Sequence, residues 1–208
     1  MTTIYEPRKE LRPRRLTGIS EEQISQHWTL YEGYVKNVNL LGGKLAALTE
    51  KGEFGPEFAE LKRREGFEYD GMLLHEHYFG ILKGGGTPLE PGSRLSRCLA
   101  LCFGSFAAWR RQFAAVGMMR GSGWVILYHD PRRDALVNFW IESHEDGHPA
   151  GFAPIVVMDV WEHAYMVDGS AGGRSEYIEK FFLNVDWAKA ENALRAAAPA
   201  EPVAAGGQ

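Results

Sequence analysis

The residues best suited to chemistry are seven histidines and the carboxylates near them. His27 falls on the apolar side of a helical repeat. His75 and His77 stand in Leu73-Leu74-His75-Glu76-His77-Tyr78-Phe79; residues two apart on a helix point in different directions, so only one of the pair can face a shared site. Asp159-Val160-Trp161-Glu162-His163 places a carboxylate and an imidazole four residues apart at the end of an apolar run. An Asp ending a buried strand is costly unless something cationic neutralises it. Three imidazoles and one carboxylate from separate elements, each embedded in apolar sequence, suit a mid-row transition metal such as iron or manganese. Such a set leaves one position for water or substrate, which favours catalysis over a structural role; zinc stays open as an alternative, although structural zinc prefers cysteine. The competing reading of each histidine is a hydrogen-bonded core residue.

These side chains need elements to hold them. Residues 1–19, rich in Pro, Arg and Lys, read as an extended arm. Ser20-Glu21-Glu22-Gln23 has the form of a capping box and opens a helix that carries Ile24, His27, Tyr31, Tyr34 and Val38 on one face and stops near Lys51-Gly52. Pro56 opens a second helix with Phe58, Leu61, Tyr69, Met72, His75, Phe79 and Leu82 on one side, with Gly66 and Gly71 as candidate breaks and Gly84-Gly85-Gly86 as the stop. The glycine triplet lacks the context of a phosphate loop and reads as a linker. Ser93 to about Val116 reads as a third helix with Leu95, Leu99, Cys102, Phe106, Trp109 and Phe113 inward. The period then changes from 3.6 to 2. Trp124–Tyr128 and Ala135–Ile141 form a hairpin around Asp130-Pro131-Arg132-Arg133-Asp134, and Pro154–Asp159 is a third strand. Two short helices, 175–183 and 187–197, close the fold. The expected class is α+β: an extended arm (1–19), a long antiparallel helical hairpin (20–90), a mixed α/β lobe with a three-stranded antiparallel sheet (91–197), and a low-complexity tail (198–208).

Composition narrows the function. The chain has 208 residues, 45% of them hydrophobic and 12% aromatic, enough for a sizeable core and too many for general disorder. No uncharged apolar run reaches the ~18 residues of a membrane span. A net charge of −4 gives no footprint for nucleic acid. Cys98 and Cys102 cannot make a disulfide framework and read as buried, reduced thiols. The basic start of the chain has no apolar segment behind it, so the expected location is cytoplasmic.

The segments VVMDVWEHAYMVDG (156–169) and RSEYIEKFFLNVDW (174–187) resemble the C-terminal signature of iron/manganese superoxide dismutases, with Asp159–Tyr165 as the most specific match. Phe103-Gly104-Ser105, Gly121-Ser122-Gly123-Trp124, and Tyr34-Val35 with Asn37 and Asn39 add to it, and the likeness spans roughly residues 20–190. It implies disproportionation of superoxide at one iron or manganese ion per chain, held between the two lobes by His27, His75, Asp159 and His163. His75 is preferred over His77 because Leu82 follows it by seven residues. The resemblance further implies that Tyr34 lines the entrance, that His144 hydrogen-bonds the metal's solvent, that Trp124, Trp161 and Phe79 wall the pocket, and that Arg174 lies near the substrate funnel. Glu162 is implied to reach His163 of a partner subunit in a homo-oligomer, dimer or tetramer.

Departures from the family pattern are visible. Tyr34 follows His27 by seven residues rather than the usual eight, which predicts that a π-bulge common in this helix is absent or moved. Tyr31 and Met166 stand where His and Tyr are frequent. Gly71 replaces a Gln often found in iron-type members. Tyr31, Met166 and His77, which takes a position usually aromatic, motivate an alternative: a metalloprotein of the same fold with altered or lost dismutase activity, such as a metal-dependent oxidase or a metal storage or sensing protein.

Overall fold

A computed structural model describes residues 4–169 and 172–198. The expected tail lies outside the described residues apart from Ala198. Two long helices come first, α1 (Glu21–Lys51) and α2 (Pro56–Ile81), packed as an antiparallel hairpin. Ser20 Oγ accepts the Gln23 N–H at 3.0 Å and opens α1. The other half of the expected capping box is not made: Asp168 takes the Ser20 N–H, and the Gln23 side chain is used elsewhere. α1 is α-helical throughout, so the shorter His27–Tyr34 spacing is met without a π turn. α2 runs unbroken through Gly66 and Gly71. Tyr69 faces outward from α2, its ring edge-on to that of Tyr5, while Met72, His75, Phe79 and Leu82 are buried.

The expected single third helix is two: α3 (Arg94–Phe103) and α4 (Phe106–Gly117). Gly104 at φ +84° ends the first, and Ser105 Oγ caps the second by accepting the Ala108 N–H at 3.0 Å. Leu95, Leu99, Trp109 and Phe113 point inward as expected. Cys102, on the same stripe, does not: it is exposed at the last turn of α3, where its Sγ accepts the Leu136 N–H at 3.3 Å, and Cys98 is half-buried.

The sheet contains β1 (Trp124–Asp130), β2 (Ala135–Ile141) and β3 (Ala153–Asp159) in the order β2-β1-β3, all antiparallel. β1 is central and buried along its whole length, which explains its apolar and aromatic composition. Register places Trp124 opposite both Ile141 and Asp159. β3 packs against α2, so the end of the strand that carries Asp159 meets the helix that carries His75. α5 (Arg174–Leu183) and α6 (Trp187–Ala197) follow. Between them Asn184, fully buried, accepts the Thr17 N–H and donates to Thr17 O and Lys180 O, joining the arm to the C-terminal helices. The arm itself is extended apart from a 3-10 turn at Lys9–Leu11. Gly84 passes so close to Arg15 O that a Cβ would lie 2.3 Å away, so the glycine triplet serves backbone packing. Among the described residues no helix is long and apolar enough to cross a membrane.

Candidate metal centre

Four side chains from four separate stretches converge between the hairpin and the sheet. His27 comes from α1, His75 from α2, Asp159 from the end of β3 and His163 from the 3-10 turn after it. One potential ligand atom from each lies within 4.8 Å of all the others, so the group could hold one metal ion. Asp159 Oδ2 is 3.0 Å from His27 Nε2, 3.0 Å from His163 Nε2 and 3.8 Å from His75 Nε2. His27, His75 and Asp159 are fully buried. His77 is exposed and takes no part, so the two histidines of α2 separate as their spacing requires.

The hydrogen bonds around the cluster assign its protons. His75 Nδ1 donates to Gly71 O at 2.6 Å, which leaves a bare lone pair on Nε2. That Nε2 is buried and has no hydrogen-bond partner among the described residues. A buried unpaired acceptor aimed beside an ionised carboxylate is what a resident cation relieves, and an N3O donor set suits iron or manganese. Burial lowers the pKa of His27 and lowers that of His75 further, which keeps both neutral. For Asp159 burial opposes ionisation, but His163 and His27 outweigh it and hold the carboxyl well below its usual range. Its other oxygen accepts the Trp161 N–H at 2.8 Å, which orients the carboxylate. For His163 burial works against protonation and the Asp159 charge outweighs it, raising the pKa.

Next to the cluster, His144 is fully buried although it lies in a loop. Trp124 Nε1–H donates to its Nδ1 at 3.1 Å. An indole can only donate, so the imidazole proton is on Nε2, which lies 2.7 Å from the Tyr34 hydroxyl oxygen. His144 therefore donates to Tyr34, and the phenol keeps its own O–H proton for another partner. Burial pushes the His144 pKa down to about 4 and so favours this neutral form. Burial, with the Asp159 and Glu68 charges, pushes Tyr34 up to about 12. Trp124 and Phe79 are buried beside the histidines, and the Trp161 ring stacks on His163 at 6.0 Å.

Arg174 lies behind this wall. It donates to the carbonyls of Met119, Gly121 and Val160 and so ties the segment before β1 to the end of β3. Glu162 is exposed in the single chain and accepts from Ser122 Oγ at 3.0 Å. Tyr31 is buried; its hydroxyl accepts the Arg8 N–H and donates to Glu76, both at 2.9 Å. At a position where the family often has His, Tyr31 thus fastens the arm to α2.

The sequence reading missed Gln23. Its amide donates to His163 O at 2.6 Å and its Oε1 accepts the Val167 N–H at 3.0 Å, gripping the turn that carries a cluster histidine. The only sequence signal was its place in the capping box, which suggested a different use.

Residues 91–193 match the family described as iron/manganese superoxide dismutases, C-terminal domain. A superoxide dismutase (Fe) of Aquifex pyrophilus is 37% identical over 188 residues, 88% of this chain and 87% of the relative. A superoxide dismutase (Fe) of Cupriavidus metallidurans is 37% identical over 191 residues, 89% and 93% of the two chains. A superoxide dismutase (Mn) of Haloferax volcanii is 34% identical over 170 residues, 81% and 83%. With relatives of this identity aligned along most of both chains, and an N3O cluster where the lobes meet, the chain belongs to the iron/manganese superoxide dismutase family.

Proposed function

We propose that the chain is a superoxide dismutase, converting two superoxide ions and two protons to dioxygen and hydrogen peroxide, with one iron or manganese ion held by His27, His75, Asp159 and His163. The observation that carries this reading is the buried convergence of those four ligand atoms. Bound iron or manganese would supply a one-electron couple. The chain's residues supply the rest. Neutral imidazoles and one carboxylate neutralise only part of an ion's charge, so a small anion remains attracted. Trp124, Trp161 and Phe79 pack against the cluster histidines and give the site an apolar lining. Tyr34 holds a proton at its hydroxyl for delivery into the pocket, and His144 holds Tyr34 in place by donating to its oxygen. Arg174 shapes the wall behind Trp161 by donating to the carbonyl of Val160.

The working form in this proposal is a homo-oligomer, dimer or tetramer, assembled through the Glu162–His163 region. Glu162, Met166 and Val167 are exposed beside the cluster in the single chain, a mixed polar and apolar surface that suits a second copy. A cytoplasmic location is in keeping with two free thiols.

The test is metal analysis paired with turnover. Protein expressed with iron and manganese supplied should carry about one such ion per chain, and iron-only and manganese-only preparations should be assayed for superoxide dismutation. Protein that holds only zinc, or no metal, overturns the reading, as does a fully loaded protein without turnover.

A further inference from the structure

Two imidazoles in the loop after β2 are pinned to β1 in the same way. Trp124 donates to Nδ1 of His144 at 3.1 Å, and the Tyr128 hydroxyl lies 2.6 Å from Nδ1 of His148. Both loop residues are four apart, and so are both strand residues. His148 Nε2 then lies 2.6 Å from the backbone carbonyl of His144. A carbonyl can only accept, so Nε2 carries the proton and, in the neutral ring, Tyr128 O–H donates to Nδ1. Gly147 at φ +101° makes the turn that brings His148 back beneath His144. Tyr128 is buried on the central strand and cannot swing away. The chain of contacts thus runs from β1 through Tyr128 and His148 to the main chain of His144, and through the His144 ring to Tyr34.

We propose that His148, anchored by Tyr128, is a positioning residue that acts through His144. It fixes the His144 main chain so that the proton on Nε2 meets the Tyr34 oxygen. No side chain of His148 need touch substrate or metal. The contact holds the main chain of His144, whereas Trp124 and Tyr34 hold its ring; the bonds of Ser143 Oγ to Glu145 and of Phe152 N–H to Pro149 O stay within the loop. The inference rests on the proposed function for the use made of Tyr34, and not for the geometry.

The test uses the iron- or manganese-loaded full chain. Its readouts are the midpoint potential, the visible absorption band, kcat and KM. Outer hydrogen-bond partners of a metal site tune its potential, and their loss typically costs tenfold or more in activity. His148→Ala should shift the potential and the band and lower kcat about tenfold with KM unchanged. Tyr128→Phe, which removes one O–H and keeps the ring, should shift them in the same direction by less and covers the case in which His148→Ala does not fold. His148→Gln, whose amide can donate to the same carbonyl, should recover most of kcat. In a His144→Ala background the His148→Ala effects should vanish, since there is no ring left to position. The proposal is overturned if His148→Ala matches the wild type in potential and band, or if its shifts persist undiminished without the His144 ring. A wild-type protein that binds metal without dismutating superoxide would sink the proposed function alone, because the potential and band would still report on His148.

Discussion

Gly71 lies against the ring of Tyr34 so closely that a Cβ on Gly71 would sit 2.7 Å from Tyr34 Cδ1 and 2.8 Å from Cε1. The ring has nowhere to go, because it is flanked by His75 and His144 at centroid distances of 5.1 and 4.8 Å. Two effects compete in Gly71→Ala. Helix propensity favours alanine by about 1 kcal/mol. Overpacking a rigid aromatic neighbour costs about 1–3 kcal/mol. The clash should win, with a net loss of about 1 kcal/mol in urea unfolding and a fall in kcat as Tyr34 leaves His144. A variant more stable than the wild type would show that the ring yields freely.

The two histidines of α2 give a sharper contrast. His75 is fully buried with its Nε2 in the cluster, and His77 is exposed. His75→Ala should lower metal affinity by more than about 100-fold, beyond what loss of an outer partner costs. His77→Ala should leave metal content at the wild-type value. Metal analysis after dialysis against a weak chelator separates them, and the reverse pattern would overturn the ligand assignment.

Much of this architecture was legible because it depends on local chemistry. Ser20, the Lys51-Gly52 stop and the β-branched and aromatic run that starts at Trp124 mark boundaries that neighbouring residues determine. Asp159 and His163 announced themselves through a carboxylate and an imidazole four apart after an apolar strand. What stayed hidden depends on partners distant in sequence. Gln23 grips His163 across 140 residues, and His144 meets Tyr34 across 110. No periodicity encodes either contact. Cys102 is exposed for a related reason: one helix over 93–116 would bury it mid-helix, whereas the break at Gly104 leaves it in the last turn of α3.

That break carries its own prediction. Ser105 sits at the start of α4 and accepts the Ala108 N–H at 3.0 Å. Ser105→Ala leaves the first turn of α4 without that acceptor and should cost about 1 kcal/mol. Trp109 and Phe113 lie on the same helix in the core, so the loss should appear as a lower global unfolding midpoint. An unchanged midpoint would mean that the cap adds nothing to α4.

Acid should unfold the metal-free protein through its buried imidazoles. His27, His75 and His144 all have pKa values lowered by burial, that of His144 to about 4. In the unfolded chain these rings take up protons below about pH 6.5. Between pH 6.5 and 4 the unfolded state therefore binds more protons than the folded one, and stability falls as the pH falls. His163, with its pKa raised by Asp159, opposes this, as one group against three. His144 alone should cost about 2 kcal/mol at pH 5 relative to neutral pH. Bound metal adds to the slope, since each imidazole must lose its proton to coordinate. Urea unfolding of the metal-free chain at pH 7 and pH 5 measures the difference, and His144→Gln should remove part of it. Equal stability at the two pH values would mean that these rings are not held neutral in the folded protein.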